Sequence, residues 1–140
     1  LARRLGADDV IDATTAGNVG DAVQRLTGGA HVSVDCLGHA QTANNSILSL
    51  RALGRHVQIG LFPSPTADLP IGRVIRDELE VSGVHGLSAS RFGQVFALIE
   101  AGRFDPAAMV TREMALTDLA EALPAMAGFQ QPGVSVVTRM

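Results

Sequence analysis

The sequence predicts an α/β fold with a parallel sheet, and three observations carry this prediction. Apolar runs of strand length recur along the chain, segments with apolar residues at helical spacing separate them, and glycines or prolines mark the boundaries. Strands that alternate with helices in this way form βαβ units, whose strands run parallel. With 140 residues, 46% of them hydrophobic, the chain has the size and composition of a packed globular domain.

The first half of the chain predicts a brief strand, a helix, a strand, a second helix and a third strand. In order, they cover residues 9–12, 17–26, 31–35, 43–53 and 56–62. Val32 and Val34 give the second strand the pattern of a buried one. The apolar stripe from Ala43 to Leu53 predicts a helix that Gly54 ends. Residues 56–62 give the strongest strand signal, and Pro63 follows them.

The second half continues the alternation. Glu78–Gly83 alternates polar and apolar residues, as an edge or half-exposed strand does. Phe92–Ile99 places apolar residues at i, i+3, i+4 and i+7, which predicts a helix. The remaining segments predict a strand, a helix and a strand over residues 109–116, 117–127 and 134–138. Pro124 within that helix predicts a kink or a lost turn, at a cost of ~3 kcal/mol if it is fully interior.

Charge, cysteine content and hydropathy narrow the class of protein. The net charge of −3 comes from scattered residues, so no basic surface predicts nucleic-acid binding. The apolar runs are far shorter than the ~20 residues of a membrane helix. A single cysteine, Cys36, excludes an intrachain disulfide and a multi-cysteine zinc site. We therefore expect a cytoplasmic protein without a nucleic-acid or membrane partner.

Five segments in order resemble the medium-chain, zinc-type alcohol dehydrogenases. They are Leu5–Asp12, Val34–Gly38, Leu53–Leu61, Leu79–Gly86 and the closing stretch from Met109 to Val137. The resemblance implies that residues 1–108 form the second half of a Rossmann-type doubly wound sheet. It also implies that residues 109–140 are a C-terminal segment returning to a catalytic domain that this chain does not contain.

The resemblance implies an NAD- or NADP-dependent oxidoreductase that transfers a hydride between nicotinamide and an alcohol or carbonyl carbon. Zinc in the catalytic domain would polarise the substrate oxygen. The family's zinc ligands and glycine-rich phosphate turn do not occur in this sequence, so we expect the fragment alone to be inactive. Two alternatives stay open: a zinc-free relative similar to quinone or enoyl reductases, and a non-catalytic α/β dimerisation module. Family members often dimerise through the strand that corresponds to residues 79–83, so a homodimer is expected.

Ligands of doubly wound sheets bind at the carboxyl ends of the strands. The resemblance implies that the segment after residue 35 contacts the adenosine and pyrophosphate half of the cofactor, through Cys36, Leu37, Gly38 and His39. It implies that two further segments contact the nicotinamide carboxamide with backbone groups, namely Ile59, Gly60 and Leu61, and then Val84, His85 and Gly86. The competing interpretation is that the glycines only form turns and that His39 is an exposed helix cap.

Other polar residues predict no catalytic group. The four histidines, His31, His39, His56 and His85, lack the spacing of metal ligands, so no metal site is expected. Cys36 is expected to be a small buried hydrophobic residue rather than a nucleophile. Asp12 and Asp35 are expected to cap the turns that follow them.

Overall fold

The computed structural model describes residues 1–126, 128 and 132–140. They form two compact units: Ile11–Gly86, and Leu1–Val10 together with Leu87–Met140. Within these described residues, no helix is long and apolar enough to span a bilayer. These two units do not test the predicted domain boundary after residue 108, which stays a prediction.

The unit Ile11–Gly86 holds a parallel sheet with helices before and between its strands. Its elements are α1 (Val19–Thr27), β1 (Ala30–Asp35), α2 (Ala40–Leu48), β2 (Leu50–Gln58), α3 (Ile71–Arg76) and β3 (Glu80–Gly83). The three strands lie in the order β1-β2-β3, and both neighbouring pairs are parallel. The predicted α/β fold with a parallel sheet is confirmed, and β3 is the edge strand that its alternating pattern predicted.

Helix α2 packs its apolar face into the core of this unit. Ala43 and Ile47 on that face are both fully buried. Leu50 at the start of β2 and Leu79 just before β3 complete the buried cluster with Ile47. Burying such side chains stabilises a fold by about 1.5 to 3 kcal/mol each, so this contact holds α2 against the sheet.

The second predicted helix was too long, because it took the start of β2 as its last turns. Helix α2 ends at Leu48, and β2 begins at Leu50 and ends at Gln58 rather than at Phe62. Leu50 and Leu53 continue the helical spacing of Ala43 and Ile47, yet Leu50 pairs with Ala30 across the sheet. Short apolar patterns fit both periodicities, and here the pairing with β1 decides.

The predicted strand at residues 9–12 was wrong. Asp12 ends that stretch in a turn, where its carboxylate accepts hydrogen bonds from the N–H and the hydroxyl of Thr14 at 2.8 and 2.6 Å. No strand in the described part of the chain pairs with residues 9–12, and an unpaired strand is not stable. The expected capping role of Asp12 is confirmed.

The faces of β1 are the reverse of the prediction. Ser33 and Asp35 are buried, whereas Val32 and Val34 are 57% and 50% exposed. The hydroxyl of Ser33 contacts the buried His56, so the polar residues of β1 face the covered side of the sheet. Successive strand residues point to opposite faces, and the two valines therefore lie on the open face.

Helix α3 had no sequence prediction. It is a single short segment of six residues without a side-chain cap at its start. Its apolar residues Ile71, Val74 and Ile75 have helical spacing, but six residues are too short a stretch for a periodic signal.

The second unit contains the remaining predicted elements. They are α4 (Phe92–Glu100), β4 (Val110–Ala115), α5 (Leu119–Met126) and β5 (Val134–Arg139). Strands β4 and β5 pair in parallel as a two-stranded sheet. Pro124 lies inside α5, and the predicted last residue of that helix, Ala127, lies outside the described residues.

Candidate functional site

Asp35 organises the turn between β1 and α2. It ends β1 and is only 4% exposed. Its Oδ1 accepts hydrogen bonds from the N–H groups of Leu37 and Gly38 at 2.9 and 2.7 Å. Its Oδ2 accepts a hydrogen bond from the hydroxyl of Thr42, in the first turn of α2, at 2.5 Å. The predicted capping role of Asp35 is confirmed, and the carboxylate fixes the path of the chain after β1.

The backbone of Asp35 also holds the segment that follows β2. Its carbonyl oxygen accepts hydrogen bonds from the N–H groups of Ile59 and Gly60 at 2.8 and 3.0 Å. One residue therefore joins two of the three predicted contact segments. We name them the first segment (residues 36–39), the second segment (59–61) and the third segment (84–86), after the ends of β1, β2 and β3.

The Asp35 carboxylate has no cationic partner among the ion pairs of the described residues. Burial alone would raise the pKa of the Asp35 carboxyl. Hydrogen bonds donated by Thr42, Gly38, Gln58 and Leu37 have a larger combined effect, so its pKa lies below the ordinary value. Hydrogen bonds donated to a carboxylate favour its ionised form. Asp35 is therefore a buried, ionised acceptor at neutral pH.

Gln58 connects this carboxylate to the second segment. Its Nε2 donates hydrogen bonds to Asp35 Oδ1 at 3.1 Å and to the carbonyl oxygen of Gly60 at 2.8 Å. Both protons of the amide nitrogen are thereby used. The side-chain oxygen of Gln58 lies 3.1 Å from Nε2 of His56.

His56 supports Gln58 from inside the unit, where it is 1% exposed. Since the oxygen of Gln58 can only accept, His56 Nε2 carries the proton of that hydrogen bond. Nδ1 is then the acceptor, and it lies 3.1 and 3.2 Å from the hydroxyls of Ser33 and Ser46. A buried chain of polar groups thus runs from α2 and β1 through His56 and Gln58 to the strand ends.

Gly38 and Gly60 bring the first and second segments into direct backbone contact. A Cβ on Gly38 would lie 2.7 Å from the carbonyl carbon of Gly60, and closer still to the Leu61 carbonyl. Gly38 also has φ +82°, which side chains other than glycine rarely adopt. Gly38 is therefore required both by its conformation and by its neighbour.

The predicted contact residues follow adjacent parallel strands, so the three segments leave the sheet at the same edge. Gly38 is buried and Gly60 is half-buried, and the other predicted residues are exposed: Cys36, Leu37, His39, Ile59, Leu61, Val84, His85 and Gly86. The expectation that Cys36 is buried was wrong, because Cys36 follows the last residue of β1 in the turn before α2. His39 caps α2 through Nδ1, which accepts from the N–H of Gln41 at 3.3 Å, as the alternative interpretation held.

Several backbone groups at this edge are free to bind a ligand. Among the described residues, no protein group hydrogen-bonds the backbone of Leu61, His85 or Gly86. Val84 differs, since its N–H donates to the carbonyl of Gln58 at 2.9 Å. The second and third segments therefore present unpaired amide and carbonyl groups at adjacent strand ends.

No sequence pattern predicted a role for three polar residues that shape this edge, namely His56, Gln58 and Thr42. The sequence does contain one signal for His56 and Gln58. Together with Gly60 they occupy alternate positions along the strongest predicted strand. Alternate residues of a strand share one face, and two polar residues on a covered face must find partners.

The described residues form no candidate metal site. Within the described residues, no three histidine, cysteine, aspartate or glutamate side chains are grouped so that they could hold a metal ion.

Comparison with known proteins identifies the family. The family described as zinc-binding dehydrogenase matches residues 1–101. The chain belongs to this family. Among curated relatives, D-arabitol-phosphate dehydrogenase of Enterococcus avium is 29% identical and aligns with 87% of this chain and 35% of its own length. Erythritol/L-threitol dehydrogenase of Mycolicibacterium smegmatis is 32% identical, over 98% of this chain and 38% of its own length.

The fold of this zinc-binding dehydrogenase chain agrees with a solved relative. The crystal structure of an NAD-dependent alcohol dehydrogenase superposes with a TM-score of 0.80 at 26% identity, over 98% of this chain and 40% of that one. The chain thus spans between a third and two fifths of the length of these relatives. The predicted assignment to a C-terminal portion of the zinc-type alcohol dehydrogenases, with its Rossmann-type sheet, is confirmed.

Proposed function

We propose that the protein acts as an NAD(P)-dependent oxidoreductase, in which this chain supplies part of the dinucleotide site. The observation that carries the proposal is the set of unpaired backbone groups at Leu61, His85 and Gly86, at the carboxyl ends of parallel strands. Ligands of doubly wound sheets bind at this edge. The solved alcohol dehydrogenase that this chain resembles is NAD-dependent by its description.

The first segment is proposed to contact the adenosine and pyrophosphate half of the cofactor through Cys36, Leu37, Gly38 and His39. The N–H groups of Leu37 and Gly38 already donate to Asp35, so side chains and carbonyls of this segment are the available contacts. The close approach of Gly38 to the second segment leaves no side chain between the two strand ends. A flat ligand could then lie across both segments.

The second and third segments are proposed to bind the nicotinamide carboxamide, which has both a donor and an acceptor. Ile59, Gly60 and Leu61 have carbonyl groups at this edge. Of Val84, His85 and Gly86, the last two have unpaired N–H groups, because that of Val84 donates to Gln58. Because the carbonyl of Gly60 accepts from Gln58, the free carbonyls of Ile59 and Leu61 are the better acceptors. Such contacts fix which face of the nicotinamide ring meets the substrate. The hydride is transferred between that ring and the substrate carbon when the cofactor is bound.

We propose an alcohol or carbonyl substrate, with polyols as the first class to test. Two relatives are described as dehydrogenases of D-arabitol phosphate and of erythritol or L-threitol. Zinc would have to be held by residues other than the described ones, since these form no metal site. This chain alone is proposed to be inactive.

The test is dinucleotide binding by the protein expressed at its full natural length. Isothermal titration with NAD⁺ and NADP⁺ should show saturable binding of one of them, and a hydride-transfer assay should then score polyols against simple alcohols. Lack of binding by both dinucleotides would refute the proposal. The control is Gly72→Ala, which changes a glycine of α3 with nothing within 4 Å and should leave affinity unchanged.

A cytoplasmic homodimer formed through residues 79–83 completes the proposal. In the described residues β3 pairs with β2 alone, so its outer edge can accept a strand from a second copy. Multi-angle light scattering should give twice the mass of one chain. Val81→Pro should shift the protein to monomer, because the N–H of Val84, and by the alternation of the ladder that of Ser82, faces β2, whereas that of Val81 faces the outer edge. A monomeric wild-type protein would refute the dimer.

A further inference from the structure

We propose that Gln58, oriented by the buried His56, is a positioning residue that aims the N–H of Leu61 at the bound dinucleotide. The inference rests on the proposed function, and it adds a hydrogen-bond donor that the sequence did not predict. The resemblance to the family implies only a carbonyl contact at Leu61. Its N–H has no partner among the described residues, and the residue is 74% exposed.

One peptide group links Gln58 to the N–H of Leu61. The carbonyl of Gly60 and the N–H of Leu61 belong to the same planar peptide, in which they point in opposite directions. Gln58 Nε2 holds that carbonyl at 2.8 Å. Fixing the carbonyl therefore fixes the direction of the Leu61 N–H. Glycine at position 60 would otherwise leave this peptide group with wide conformational freedom.

The orientation of the Gln58 amide is fixed as well. A free glutamine amide can rotate so that its oxygen replaces its nitrogen, and it would then repel the Gly60 carbonyl. Two contacts oppose that rotation, namely Asp35 Oδ1 at 3.1 Å from Nε2 and His56 Nε2 at 3.1 Å from Oε1. His56 is held in turn by the hydroxyls of Ser33 and Ser46. These contacts hold the Nε2 group of Gln58 toward the second segment.

The chain offers a comparison that separates positioning of the Leu61 N–H from simple stabilisation of the fold. Gln24 is also half-buried, and its Nε2 also donates two hydrogen bonds, to the carbonyls of Leu48 and Leu50 at 3.0 and 2.7 Å. These carbonyls belong to the last residue of α2 and the first residue of β2, away from the strand ends that carry the three segments. Loss of Gln24 removes two side-chain hydrogen bonds and loss of Gln58 removes three, but only loss of Gln58 frees the peptide group before Leu61.

The experiment compares Gln58→Met and Gln24→Met with the wild-type protein at full natural length. Methionine keeps the length of glutamine but has no donor. Affinity is measured by calorimetry for the dinucleotide that the wild type binds, and thermal unfolding is measured in parallel. We expect Gln58→Met to lose more stability than Gln24→Met, because Gln58 makes an additional hydrogen bond to His56. Gln58→Met should also bind about fivefold or more weakly, the loss that one net hydrogen bond produces. Gln24→Met should bind within about twofold of the wild type.

A second measurement uses the wild type alone, and it tests the contact between the Leu61 N–H and the dinucleotide even if Gln58→Met does not fold. The amide resonance of Leu61 should shift on addition of the dinucleotide and should become protected from hydrogen exchange. The inference is overturned if the wild type binds the dinucleotide but Gln58→Met binds equally well, or if the Leu61 amide shows neither change. A wild type that binds no dinucleotide overturns the proposed function and this inference together.

Discussion

Gly38 and Gly60 lie back to back at the ends of β1 and β2, and neither position has room for a side chain. A Cβ on Gly60 would lie 2.7 Å from the Cα of Gly38. The backbone hydrogen bonds from Ile59 and Gly60 to Asp35 hold this contact in place. The proposed cofactor edge is therefore built from backbone packed against backbone, which only glycine permits.

Gly38→Ala is expected to destabilise the protein by at least about 2 kcal/mol, from the forced contact together with the strained backbone. Urea unfolding measures the loss. The control is Gly28→Ala, at a position with φ +74° and nothing within 4 Å of a Cβ. It carries the backbone strain alone and should cost about 1 kcal/mol. Equal losses in the two variants would show that the contact with the second segment is unimportant.

Much of the fold could be predicted because it depends on local patterns. The spacing of apolar residues located α1 and α4, and the alternation over residues 78–83 located β3 at an edge. The boundary between α2 and β2 could not be read locally, because Leu50 and Leu53 fit both a helix and a strand. Pairing with β1, a contact distant in sequence, decides it.

The site was predictable in position but not in its supporting network. Strand ends in an α/β sheet predict where a ligand binds, and the resemblance supplied the three segments. That Asp35, Gln58 and His56 form one hydrogen-bonded chain depends on the register that places Ser33 beside His56 and Asp35 beside Gln58. A sequence without its register does not reveal which polar residues become neighbours.

Acid is expected to weaken the fold through Asp35. Its pKa in the folded protein lies below its ordinary value of 3.8, because the hydrogen bonds to the carboxylate outweigh the effect of burial. A lowered pKa contributes stability that is complete above the unfolded value and is lost as the pH falls through the folded value. The free energy of unfolding should therefore change little, as far as Asp35 is concerned, between about pH 5 and 7, and fall below about pH 4.

Asp35→Asn tests this assignment by urea unfolding across the same pH range. At neutral pH the variant should be less stable by about 1.5 to 3 kcal/mol, the range for hydrogen bonds to a charged group. The difference from the wild type should shrink as the pH falls below 4. Asp12 and Asp77 also have lowered pKa values but are present in both proteins, so their contributions cancel. A difference that is constant with pH would contradict the assignment.

His56 is expected to carry its proton on Nε2. The amide nitrogen of Gln58 is occupied by Asp35 and Gly60, so its oxygen must accept from His56. Long-range nitrogen-proton correlation spectra of the imidazole ring distinguish the two tautomers directly. Exposed His31 provides an internal reference without a defined partner in the described structure. A proton found on Nδ1 would mean that the Gln58 amide is turned the other way.

Leu53 is expected to be a site where glycine improves stability. It adopts φ +61° within β2, a left-handed conformation that is unfavourable for a leucine, and its N–H donates to the carbonyl of Asp77 at 2.9 Å. The residue is 72% exposed, so little burial is lost on its removal. Leu53→Gly should therefore raise the free energy of unfolding by about 0.5 to 1 kcal/mol, after the greater flexibility of glycine in the unfolded chain is subtracted. Leu53→Ala removes the same exposed side chain but retains the Cβ, and it should bring no gain. If alanine stabilises the protein as much as glycine does, the exposed side chain rather than the backbone conformation is the unfavourable feature.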